Sequence, residues 1–126
     1  MYAVDISSIK DYNFQVKANN YAITIDAAGQ GVSPLDALLA GLGTCVGVYV
    51  RKYLEGAKLS QIEFNIRVES ELVKESPMRF KQIKVSIDLK TDKFDENRRK
   101  ALFEFVKNCP AHNTLKNDPE IDFLIA

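Results

Sequence analysis

The stretch from Ser33 to Gly56, SPLDALLAGLGTCVGVYVRKYLEG, constrains the fold more than any other part of the chain. Ser33 suits a helix N-cap, Pro34 the first helical position and Asp36 the third, where a carboxylate opposes the helix dipole favourably. Leu35, Leu38, Leu42, Val46, Tyr49 and Tyr53 then recur at helical spacing, and Leu39 and Val50 widen the stripe. Gly56, after Glu55, is a suitable C-terminal stop. Inside this helix stand Gly41, Gly43 and Gly47, each costing about 1 kcal/mol relative to alanine. Three glycines in one helix imply that another backbone packs closely against it, from its own sheet or from a second subunit. The helix is also apolar on more than one side, which one layer of sheet would not cover.

Strand patterns flank it. YNFQVK (12–17) and YAITID (21–26) alternate, with Tyr12, Phe14 and Val16 matching Tyr21, Ile23 and Ile25, and Asn19-Asn20 tolerating the positive φ of a tight turn. A second hairpin pairs IEFNIRVESEL (62–72) with IKVSIDL (83–89). Ile62, Phe64, Ile66 and Val68 point inward against Ile83, Val85, Ile87 and Leu89. Such alternation implies antiparallel strands with one solvated face. The intervening loop carries Ser76-Pro77. A helix is expected from about Asp95 to Asn108, a short one over 110–116, and a last strand at EIDFLIA (120–126). The order ββ-α-ββ-α-(short helix)-β gives an α+β fold rather than a parallel doubly wound sheet.

At 126 residues the chain is expected to be one domain, 1–126, with a core that needs no staples. Seventeen basic and seventeen acidic residues cancel, so the charge points to no nucleic-acid partner. RKY at 51–53 and RRK at 98–100 are the local basic clusters, read as solvated helix faces or ends. The longest apolar run, ALLAGLGTCVGVYV (37–50), is shorter than the ~18–20 residues a membrane span needs. MYAVDISSIKDYNF lacks a basic region followed by an apolar one, so no signal peptide and no membrane partner are expected. With two cysteines, the protein reads as cytoplasmic with reduced thiols.

Few residues could carry chemistry. A metal centre needs about three or four ligands at short spacings, and Cys109 with His112 makes one pair without a second; no metal or other cofactor is expected. The glycines form neither a GxGxxG nor a Walker loop. Cys45 lies on the apolar surface of the glycine-rich helix, where a lone cysteine is by base rate a small buried hydrophobe. Cys109 differs, because Pro110 starts a helix well and so puts Cys109 at or near an N-cap. There the dipole and free N–H groups would favour a thiolate. His112, one turn on, is a candidate hydrogen-bonding neighbour.

SPLDALLAGLGTC resembles the central-helix motif of the OsmC/Ohr family of hydroperoxide-detoxifying proteins, and NCPAHNTL resembles that family's second-cysteine motif. The order of elements is similar over nearly the whole chain. The resemblance implies antiparallel sheets around a long central helix, in a homodimer whose subunits intertwine with their long helices packed at the centre. It implies that Cys45 and Cys109 meet in space as the catalytic pair. Cys45 would attack an organic hydroperoxide and become a sulfenic acid, Cys109 would condense with it to a disulfide, and an external dithiol, lipoyl or another thiol system, would reduce it. By the helix-end argument, Cys109 would be the more acidic thiol.

The sequence departs from the family at the charges. The peroxidases use an arginine from the N-terminal region and a glutamate just after the helix-opening proline. This chain has no arginine before Arg51, and Leu35 stands at the glutamate's position. Lys10 and Lys17 are the N-terminal cations. Arg51 lies roughly 240° around the helix from Cys45, and Arg79 sits in the expected hairpin loop. Asp36 matches an acidic position of another OsmC-like branch. Asp36, His112, Arg79 and Lys17 are therefore the candidate supporting residues. A thiol-dependent peroxidase is the first functional reading. The alternative is a non-enzymatic dimer of the same fold that binds a small apolar ligand or senses redox state.

Overall fold

The computed structural model describes residues 1–126. In chain order the elements are β1 (Asp5–Lys10), β2 (Asn13–Ala18), β3 (Tyr21–Asp26), α1 (Pro34–Gly56), β4 (Phe64–Val73), β5 (Arg79–Leu89), α2 (Glu96–Phe105), a 3₁₀ turn (Val106–Asn108) and α3 (Pro110–Lys116). The α+β class and the antiparallel pairing stand. No helix is long and apolar enough to cross a membrane. The chain forms two compact units, Met1–Ala40 and Gly41–Ala126.

The first unit holds an antiparallel sheet in the order β1-β2-β3. Phe14 faces Ile25 and Val16 faces Ile23, as the alternation requires, and Asn19 takes the turn with φ 54°. Strand β1 has no counterpart in the sequence reading. DISSIK alternates poorly, and all six of its residues are exposed, so only pairing with β2 reveals it as a strand. No residue of this unit is buried. Helix α1 starts here with a reciprocal cap: the Asp36 N–H donates to Ser33 Oγ at 3.1 Å, and the Ser33 N–H donates to Asp36 Oδ2 at 3.4 Å.

The second unit contains the core, made of Leu42, Val46, Val50, Leu54, Ile62, Phe94, Leu102 and Cys109. Helix α1 serves two neighbours within it. Toward β4 it presents glycine: a Cβ on Gly43 would stand 2.8 Å from Val68 Cγ2, and one on Gly47 would stand 3.4 Å from Ile66 Cδ1. Two of the three glycines thus answer to a close approach by the unit's own hairpin, through side chains rather than backbone. Gly41 has open space around its Cβ direction. Toward α2 the helix presents aromatics, Tyr49 and Tyr53 each 5.9 Å from the Phe105 ring, with Tyr53 also 6.1 Å from Phe94.

The hairpin β4–β5 pairs Phe64 with Leu89, Ile66 with Ile87 and Val68 with Val85, so the inward residues of the two strands are cross-strand partners. Strand β5 begins at Arg79, four residues before the expected start, which puts Arg79 in the strand rather than in the loop.

Three further boundaries differ from expectation. Helix α1 stops in a Schellman arrangement: the Leu59 N–H reaches Leu54 O, and the Lys58 N–H reaches Glu55 O. The left-handed position is Lys58, with φ 60°, and not Gly56. The helix expected to run to Asn108 ends at Phe105 and tightens into the 3₁₀ turn that delivers Cys109. The last strand is absent. Residues 117–126 have no regular structure, because EIDFLIA finds no strand to pair with in its own chain, and Phe123, Leu124 and Ile125 are more than 90% exposed.

Candidate functional site

Two local features position the thiols. Cys45 rides on α1 beside the core residue Val46, partly buried, and packs against the cluster that contains Cys109. Cys109 is the N-cap of α3, with Pro110 at the first helical position as the sequence suggested, and its surface is 0% exposed. The two sulfurs are close enough that the Cys45 thiol perturbs the ionisation of Cys109. Both are free thiols.

The expected acidity of Cys109 is reversed. Its pKa is raised, first by burial and then by the neighbouring Cys45 thiol. The backbone N–H groups of His112 and Ala111 pull the other way, as an N-cap should, but neither makes a full capping hydrogen bond to the sulfur. Desolvation of the thiolate wins over the dipole of a seven-residue helix.

The supporting candidates are dispersed. His112 Nδ1 lies 3.0 Å from Asn113 Oδ1, a local contact. Arg79 donates to Pro77 O at 2.7 Å, and Arg51 donates to Ser60 O at 2.8 Å while its guanidinium lies 4.9 Å from the centre of the Phe64 ring. Both arginines are thus engaged away from the sulfurs. Asp36 is engaged in the cap of α1. Lys17 sits exposed on β2, opposite Ala22.

The sequence reading missed a cleft of about 860 Å³ in the second unit, between α1, β5, α2 and α3. Its walls include Leu42, Val46, Ile83, Ile87 and Leu102, and its polar contributors include Arg99, Lys107 and Lys116. His112 also lines it, although neither cysteine does. The inward alternation of β5 was a signal for the wall. The basic contributors are scattered along the sequence, and only the fold gathers them.

The geometry is thus a half-buried helix thiol beside a buried N-cap thiol, in an α+β chain with two antiparallel sheets. Residues 27–123 match the sequence model of the family described as OsmC-like protein, and this chain belongs to that family. No curated protein matches it. Among solved structures it is similar to an OsmC-like protein from Mycoplasma pneumoniae, with 24% identity and a TM-score of 0.76 over 94% of this chain and 89% of that one. A candidate osmotic stress induced and detoxification response protein from Psychrobacter arcticus 273-4 gives 18% identity and a TM-score of 0.82 over 94% and 90%. The organic hydroperoxide resistance protein OhrB of Bacillus subtilis gives 20% and 0.63 over 92% of both chains. At these identities the likeness is one of fold.

Proposed function

We propose that this protein is a thiol-dependent peroxidase that reduces organic hydroperoxides through Cys45 and Cys109. The reading is carried by one observation, a partly buried thiol beside a fully buried one, both free and near enough to interact. Similarity to a protein named for organic hydroperoxide resistance supports the substrate class.

Access orders the steps. A peroxide arriving from solvent meets Cys45 first, because Cys109 exposes none of its surface. The Cys45 thiolate attacks the terminal oxygen of the peroxide and the O–O bond breaks. The alkoxide takes a proton from solvent and leaves as an alcohol, and Cys45 becomes a sulfenic acid. The Cys109 sulfur then attacks the Cys45 sulfur, the S–O bond breaks, and water leaves with the proton from Cys109. An external dithiol reduces the resulting disulfide by exchange. The raised pKa of Cys109 suits this order, since a protonated, buried thiol does not compete for the peroxide.

In this reading the protein works in the cytoplasm as an intertwined homodimer. Support comes from apolar surface that one chain leaves open: Ile6, Ile9, Tyr21 and Ile23 are each more than half exposed in a unit with no buried residue. The apolar cleft favours a second reading, binding of a small apolar ligand without turnover. Steady-state peroxide consumption with a dithiol reductant separates the two. Wild type turns over, Cys45→Ser does not, and Cys109→Ser stops after one equivalent with Cys45 oxidised. Full turnover by both variants would remove the peroxidase mechanism.

A further inference from the structure

The cleft in the second unit is one-sided in charge. Lys81, Arg99, Lys107 and Lys116 line it, with His112, and no aspartate or glutamate does. The chain as a whole has 17 basic and 17 acidic residues, so this bias is local. Lys107 is partly neutralised by Glu104 at 3.2 Å and lies 4.2 Å from the centre of the Phe103 ring. Lys81, Arg99 and Lys116 enter no ion pair, and all three are exposed.

Between these cations the surface is apolar. Ile83, Val85 and Ile87 of β5 line the cleft together with Leu102 of α2 and Val106 of the 3₁₀ turn, and Phe103 and Leu115 leave apolar surface open at its edge. A volume of about 860 Å³ lies inside the range of roughly 300–1,000 Å³ typical of small-molecule sites. An apolar trough with unpaired cations at its edges matches one ligand chemistry. The tail of the ligand is hydrocarbon, and its head is an anion.

We propose that this cleft binds a free single-chain amphiphile with an anionic head, a carboxylate, sulfonate or phosphate. The chain lies between β5 and α2, and the head is held by Arg99, Lys116 and Lys81. Neither cysteine lines the cleft, so the site stands apart from the thiol chemistry. The observation that selects an anion over a neutral apolar ligand is the cationic edge without a carboxylate. A neutral ligand would gain nothing from those charges.

The test is calorimetric titration of the reduced full-length protein, without peroxide, so that the thiol mechanism does not enter. The probes are decanoate, 1-decanol and decyltrimethylammonium near neutral pH, where the carboxylate is ionised. Decanoate should bind about tenfold tighter than decanol, as expected for two or three exposed ion pairs of modest strength, and the cation should not bind. Affinity should rise roughly fourfold per added methylene from hexanoate upward, until the cleft is filled. High salt should remove the advantage of the anion and leave the chain-length dependence.

Arg99→Glu combined with Lys116→Glu should bring decanoate down to the level of decanol or below. Lys100→Glu, a single charge reversal next to Arg99 on α2 but outside the cleft, should leave the ratio unchanged. Equal binding of decanoate and decanol, insensitivity to the paired variant, or no binding because a second copy of the chain fills the cleft would each overturn the proposal. Binding of decanoate only as phosphatidylglycerol vesicles are titrated in, and not as monomer, would replace it with a membrane surface.

Discussion

Replacing Gly43 with alanine isolates the contact that sets how closely α1 approaches its hairpin. The new Cβ would stand 2.8 Å from Val68 Cγ2 and 3.8 Å from Ile66 Cγ2. A β-branched valine is stiff at χ1, so its methyl yields only by leaving its rotamer or by moving β4. Overpacking of this kind costs about 1–3 kcal/mol, against about 1 kcal/mol gained from the better helix propensity of alanine. Gly47→Ala, four residues on, meets Ile66 Cδ1 at 3.4 Å, an ordinary contact, and keeps the propensity gain. The two variants share helix, chemistry and composition, so their difference is the contact alone.

Gly43→Ala is expected to be destabilised by up to about 2 kcal/mol, whereas Gly47→Ala gains up to about 1 kcal/mol. Urea denaturation of the reduced proteins, at one fixed protein concentration so that any association is held constant, reads both values. Each kcal/mol also moves the melting midpoint by about 3–5 °C in a chain of this size. A double-mutant cycle assigns the cause, since in a Val68→Ala background Gly43→Ala should become stabilising. If Gly43→Ala stabilises as much as Gly47→Ala in the wild-type background, the close approach of α1 to β4 is wrong.

Two further outcomes follow from other residues. Lys58 occupies the left-handed position of the α1 Schellman turn with φ 60°, so Lys58→Gly should raise stability by up to about 1 kcal/mol in the same urea assay, where a loss would show that the turn is formed differently. Cys109 has its folded pKa raised above the ordinary value of about 8.5, chiefly by burial. The folded state therefore holds that proton more tightly than the unfolded chain does. Its contribution to stability is complete below that value and declines as pH rises toward the folded pKa. The urea midpoint of wild type relative to Cys109→Ser should fall in alkaline solution, and a relative rise would mean that the helix end outweighs burial.

Elements whose physics is local could be read from the residues alone. Ser33, Pro34 and Asp36 placed the start of α1, Cys109 and Pro110 placed α3, and the alternation in β4 and β5 gave their buried faces. Elements defined by a partner could not. DISSIK is a strand only because β2 pairs with it, and EIDFLIA, which reads as a strand, is not one because nothing in its own chain pairs with it. The site divides in the same way. The N-cap position of Cys109 was legible, but the direction of its pKa was not, since burial depends on core residues scattered from Leu42 to Leu102. The meeting of the two thiols came from resemblance and not from spacing, and the charged cleft left no contiguous trace in the sequence.

Whether Cys45 and Cys109 act as one redox pair can be read by mass spectrometry. Fully reduced protein is treated with a slight excess of cumene hydroperoxide, and intact and peptide masses are followed from seconds to minutes. A redox pair gives rapid loss of two hydrogens, with a peptide linking Cys45 to Cys109. Unchanged masses, or slow addition of oxygen to Cys45 without a linked peptide, would contradict it.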